Sequence, residues 1–405
     1  MTGVSSTAST DLHYDLYDRD TYASPYALYR RLRDEAPLYR NEERAFYAVS
    51  RFDDVARVLT ERDTFSSAKG AVYQVASVGI EMPDGLFIFE DAPRHTVHRA
   101  LVSRLFTPRA IARIEADVQS IFEDAADALV GRDEVDLVQD FANMLPIQVI
   151  GMLFGLPAED HAALRKAFHH AQNEGTMAEG DDHNAFAGIA EAARWFGEYL
   201  DFRVEHPTDD LMTQLLNTEF EDHDGTVRQL RRDELLTFLT LITGAGSDTT
   251  VNAIGWALSL LGDHPEQRRL VVDDHGLIPN AVEESMRYEA VPYHIARTTL
   301  VDVELHGQAV PAGSVVLTIP GSANRDERQF EDPDRFDVTR KPSQMFSFSF
   351  GPHFCLGASL ARLEARVAVE AIVKRFPDWT VDHDAAELTK GIDTRGWDRL
   401  PVTLG

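Results

Sequence analysis

Phe348-Ser349-Phe350-Gly351-Pro352-His353-Phe354-Cys355-Leu356-Gly357 leads directly into a helix-like run from Ala358 to about Arg375, and its cysteine is the only one in 405 residues. Alone, a single cysteine behaves as a small buried hydrophobe. The surrounding residues argue for more. Gly351 and Gly357 suit a tight loop in which backbone comes close to something bulky, and Pro352 stiffens it. Cys355 would then sit just before a helix N-terminus. There, partial positive charge and unpaired N–H groups favour the thiolate, the form that ligates metal.

The spacing Phe-x-x-Gly-x-His-x-Cys-x-Gly resembles the haem-ligand loop of the haem-thiolate monooxygenases, cytochrome P-450. The resemblance implies haem b (iron protoporphyrin IX) as cofactor, with Cys355 as axial thiolate, and O2 as co-substrate. His353 matches a position that bonds a haem propionate, and Phe348 the aromatic packed beside the sulphur. Gly351 and Gly357 belong to the same cofactor-binding loop. Ser349 departs from the pattern, standing where many bacterial members carry glycine.

Composition narrows the alternatives. The formal charge of −28, with no compensating basic run, argues against nucleic acid or an anionic membrane surface as partner. One cysteine excludes an intrachain disulfide and a multi-cysteine zinc site. No apolar stretch approaches the roughly 18–20 residues that span a bilayer, and Met1 to Asp11 is Ser/Thr-rich without a signal core. The expectation is a cytoplasmic monomer. Residues 1–20 read as a disordered leader, and 21–405 as one domain, mainly α with a minor antiparallel β region.

Ser24-Pro25 opens a helix with Leu28 and Leu32 on one stripe. Short strands follow near Leu38-Arg40 and Ala45-Val49. The stretch from Phe65 to Ala92, apolar with Gly70, Gly79 and Gly85, is too long for a plain connection and suggests a substrate lid. Asp91-Ala-Pro93 starts a helix that places His95 and Arg99 on one face. By themselves these read as a polar stripe; the resemblance makes them propionate ligands. The run from Glu174 to Asp182 looks like a hinge between two helices, or equally a solvent loop. From His294 to Ile319, β-rich segments alternate with turns at His306-Gly307 and Pro311-Ala-Gly313.

A long apolar helix runs from about Asp233 to Leu261, roughly 40 Å at 1.5 Å per residue. Its middle breaks the local rules: Gly244 and Gly246 each cost about 1 kcal/mol relative to alanine, and Ser247-Asp248-Thr249-Thr250 puts polar residues in the core. Ala245-Gly246-Ser247-Asp248-Thr249 resembles the family's acid-alcohol motif. That implies a groove at Ala245 and Gly246, a helix bulged by a threonine hydroxyl, Thr249 as the catalytic hydroxyl and Asp248 as proton shuttle.

Glu284 and Arg287, three apart on a helix, can pair. They resemble the family's Glu-x-x-Arg element, with Arg335 in Asp332-Pro-Asp-Arg335-Phe336 as third member of a structural network. Arg297 matches a further propionate position. By family position a lipophilic small-molecule substrate would meet Val75, Phe87, Leu241, Ala245, Tyr293, His294, Ile295 and Thr394. With no reductase-like segment, electrons would come from a ferredoxin and its reductase, met by Arg94, Arg104, Arg109, Arg362 and Arg366. The expected reaction is hydroxylation or O-dealkylation. The alternatives are a peroxide-driven haem-thiolate enzyme and a haem or ligand binder without turnover.

Overall fold

The computed structural model describes residues 12–80, 82–166, 182–341 and 343–405, and only the backbone of 182–192. The expected hinge at 174–182 lies almost wholly outside the described residues. Arg232–Asp263 is one unbroken helix, buried from Phe238 to Thr243 and again from Thr250 to Leu261. Buried on every side in those stretches, it is a central helix. Ala358–Arg375, Leu145–Leu153, Asp182–Glu205 and Ile278–Tyr288 pack around it. Its start is fixed by buried Glu234, whose carboxylate accepts from the Arg231 amide at 2.8 Å and from both terminal nitrogens of Arg228. An acid in the first turn also complements the helix dipole.

Among the described residues the β region is antiparallel apart from one pairing. Its largest sheet runs Leu38–Asn41, Phe46–Val49, Val315–Thr318, Ile295–Thr299, Phe65–Ser66 in spatial order. Phe46–Val49 and Val315–Thr318 are parallel; the other neighbours are antiparallel. Arg297 lies opposite Val316 in this register, so the sheet fixes where its side chain leaves the backbone. The two-residue turn His306-Gly307 has φ of 50° and 73°, matching the twist of the strands it joins.

The leader ends earlier than expected. Tyr14 and Leu16 are fully buried, Arg19–Ala23 is helical, and Tyr14 packs edge-on against Tyr29, Tyr39 and Phe46. The aromatic spacing Tyr14, Tyr17, Tyr22 was the signal in the sequence. Within 65–92 the chain forms a short helix, Tyr73–Val78, after which Val78 and Ile80 are exposed.

Candidate active site

Two residues have surface where their elements should have none. Ala245 is exposed although the helix is buried on either side of it, and Cys355 is exposed as well. Yet burial pushes the Cys355 thiol up, against the Gly357 backbone hydrogen bond and the charges of Arg99 and Arg362. The thiol is thus accessible and desolvated at once. The helix N-terminus therefore does not by itself produce a thiolate here.

The loop is held from both sides. The Cys355 amide donates to the Phe348 carbonyl at 2.8 Å, and Arg362 lies over the buried Phe348 ring. Gly351 has a φ of 70°, and a Cβ there would come 3.0 Å from Thr60 Cγ2 and 3.1 Å from the Leu59 carbonyl. Gly357 faces open space. Ser349 has a φ of 58°, and its buried hydroxyl has no partner. The residue that departs from the family pattern thus keeps the backbone conformation that glycine adopts more easily.

On the same side, basic groups from three distant regions converge. The His95 and His353 rings lie 4.1 Å apart. Arg99 donates to the Phe354 carbonyl. Arg297 is 2% exposed and donates to its own neighbour's carbonyl, Ala296, at 2.7 Å. No carboxylate pairs with Arg99 or Arg297 among the described residues. Burial lowers all four: Arg297 to about 10, His95 to about 4, His353 to about 2, and Arg99 in direction. His95 Nε2 is buried without a partner. Desolvated donors with no counter-charge call for an anion. The two carboxylates of a haem beside an accessible thiol fit this set.

On the long helix, the Thr249 hydroxyl donates to the Ala245 carbonyl at 2.6 Å, yet the helix stays α-helical, without the expected bulge. Ala245 is exposed, whereas a Cβ on Gly246 would meet Ile150 Cδ1 at 3.0 Å, so Gly246 serves helix packing. Asp248 is not free. Arg165 holds its carboxylate while also donating to Asn143, a partnership that no spacing in the sequence reveals. The helix Arg94–Ser103 spans both sides, since His98, paired with buried Glu90 at 2.8 Å, also packs on Phe238 of the long helix.

The structural network is present with one change of member. Arg287 grips Glu284 with two hydrogen bonds, at 2.7 and 2.8 Å, all buried. Arg335 contributes only its carbonyl; its side chain is 63% exposed and reaches Asp337. Arg340 takes the expected place, with Nε 3.2 Å from Glu284. Among the pocket candidates, Tyr293 packs edge-on to Tyr22 in the N-terminal aromatic core, and Phe87 against Phe238. Leu241 is buried, His294 accepts from the Tyr73 amide, and Thr394 gives its carbonyl to Tyr22. Val75 and Ile295 are half-buried. Of the expected basic patch, Arg94, Arg362 and Arg366 are taken by Asp84, Glu283 and Glu115. Arg104, Arg109 and the unanticipated Arg113 have no acidic partner among the described residues.

Known proteins share this architecture. The family model described as Cytochrome P450 matches residues 30–393. A protein of Mycobacterium tuberculosis named putative cytochrome P450 123 is 37% identical over 396 residues, covering 97% of both chains. Cytochrome P450 monooxygenase PikC of Streptomyces venezuelae is 34% identical over 396 residues, covering 95% of this chain and 92% of PikC. The solved structure of the polyketide synthase cytochrome P450 PksS from Bacillus subtilis 168 superposes with a TM-score of 0.87 at 30% identity, over 97% of this chain and all of PksS. With sequence and fold agreeing along almost the whole length, the chain belongs to the cytochrome P450 family and is a haem-thiolate monooxygenase.

Proposed function

We propose that Cys355 would ligate a haem b through its thiolate and that His95, Arg99, Arg297 and His353 would hold its propionates, with Phe348 beside the sulphur. One observation carries this reading: buried His95 and Arg297 and half-buried Arg99 and His353 converge, with no carboxylate paired to either arginine among the described residues, beside an accessible, desolvated thiol. When bound there, haem supplies the activation of O2 from which one oxygen atom enters the substrate.

The chain's own part is to admit, orient and protonate. Ala245, the smallest side chain with a Cβ, leaves room beside the cofactor. The Thr249 hydroxyl gives up its bond to the Ala245 carbonyl to hold a proton there. Asp248, 22% exposed, connects that hydroxyl to solvent once it turns out of its pair with Arg165. A lipophilic substrate enters past Val75 and Ile80 and rests on Leu241 and Ile295, undergoing hydroxylation or O-dealkylation. Electrons come from a ferredoxin and its reductase, which Arg104, Arg109 and Arg113 would meet at the short helix Pro108–Ile111, packed on the helix after Cys355. No helix among the described residues is long and apolar enough to cross a membrane, and we place the protein in the cytoplasm as a monomer.

The oxygen-side assignment has its own test. Thr249→Ala should bind haem as the parent does while diverting reducing equivalents to peroxide, measured as NADH oxidised against product formed. Full coupling in that variant would remove Thr249 from the mechanism.

A further inference from the structure

A second polar cluster lies apart from the thiol and its basic groups, where three distant segments meet. Gln74 comes from the helix Tyr73–Val78, His294 precedes the strand Ile295–Thr299, and Asp393 sits in the turn that bridges Pro292 and Thr394. Gln74 and His294 are 7% and 2% exposed. Gln74 Nε2 donates to Asp393 Oδ2 at 3.0 Å, and the Tyr73 amide donates to His294 Nε2 at 3.0 Å. Accepting that bond leaves Nε2 without a proton, and burial holds the ring near 4, so His294 is neutral. It cannot serve as counter-ion to Asp393, although only 3.6 Å separates them.

Asp393 is therefore a carboxylate without a cation among the described residues. One of its oxygens and Gln74 Oε1 are sealed in with no hydrogen-bond partner. The rest of the side chain is open: 40% of its surface is accessible. Burial nevertheless raises its carboxyl to about 6. The open edge belongs to the turn that carries Thr394 and abuts His294, next to Ile295. The sealed oxygen, unlike the open edge, has neither water nor a donor to stabilise it. His294 Nδ1 is buried without a partner too, so the missing group is named by charge: the carboxylate has no cation among the described residues, and the charge it lacks is positive.

We infer that Asp393, held in place by Gln74 and His294, is an anchoring subsite for a protonated amine on the lipophilic substrate. The inference rests on the monooxygenase reading, since Asp393 adjoins Thr394 and Ile295 of the proposed pocket. It makes Asp393 a specificity residue remote from the oxygen chemistry, binding one end of the substrate while the other meets the cofactor.

Calorimetry of the haem-loaded protein with N,N-dimethyldecylamine, 1-decanol and decanoate tests it, because the chain is shared and only the head group changes. The tertiary amine should bind about tenfold tighter than the alcohol, with the acid weakest. Asp393→Asn, which preserves shape and the Gln74 bond, should bind amine and alcohol equally, with alcohol affinity unchanged as the control for folding. A parent protein with no amine preference, or an Asn variant that keeps it, overturns the inference. If the Asn variant fails to fold, the parent's ranking of the three head groups decides alone. A protein without a thiolate-bound haem would instead defeat the monooxygenase reading, and the carbonyl spectrum of the same sample separates the two failures.

Discussion

Two groups of buried or half-buried arginines use the same side chain in opposite ways. Arg287 and Arg340 converge on Glu284, and Arg325 and Arg395 converge on Glu289; each guanidinium has its carboxylate. Burial would lower Arg325 and Arg395, but the neighbouring Glu289, with the tyrosines around it, outweighs burial and raises both. At Arg297 and Arg99 burial wins, and no carboxylate answers. The first arrangement is complete in the protein itself and so is structural. The second is complete only with an anion bound, and so marks a site.

The comparison breaks if the paired group can be cut cheaply. Glu284→Gln should cost about 3–5 kcal/mol in urea unfolding, because it leaves buried Arg287 without its carboxylate and half-buried Arg340 with carbonyl partners alone. At the unpaired group the opposite is expected. Arg297→Leu should leave the haem-free protein as stable as the parent, or more so, while weakening haem retention by about 1.5–3 kcal/mol, read from haem transfer to a scavenging protein.

Acid sharpens the contrast. His95 is neutral in the haem-free fold, at about 4, against an ordinary 6.5 when unfolded. Below 6.5 the unfolded chain takes up the proton first, so stability is present at neutral pH and is lost as pH falls from about 6.5 towards 4. A bound propionate would favour charged His95 and remove that loss. Urea midpoints against pH should therefore fall more steeply for the haem-free than for the haem-loaded protein.

The smallest effect concerns the loop itself. Ser349→Gly should raise stability by about 1 kcal/mol, since serine is held at a φ of 58° with a stranded hydroxyl. A loss would mean the hydroxyl has a partner in the loaded enzyme.

Legibility followed the range of the interactions. The Phe348–Gly357 loop, the span of the long helix and the Glu284–Arg287 pair are set by neighbours within a few residues, and the sequence shows them. Features negotiated between remote segments were invisible. Arg165 neutralising Asp248, Arg340 displacing Arg335 and Gly246 facing Ile150 each depend on which helix lies opposite. The thiol illustrates competition between two local rules: a helix start favours thiolate, burial favours thiol, and burial prevails. Tyr14 and Leu16 were misjudged because a polar leader continues into a segment whose aromatic residues have a core to join.

The carbonyl complex of the reduced, haem-reconstituted protein tests the central claim most directly. A thiolate at Cys355 predicts the red-shifted absorption that only sulphur-anion ligation gives, lost in Cys355→Ala. A colourless protein, or a carbonyl complex unshifted in the parent, would contradict it.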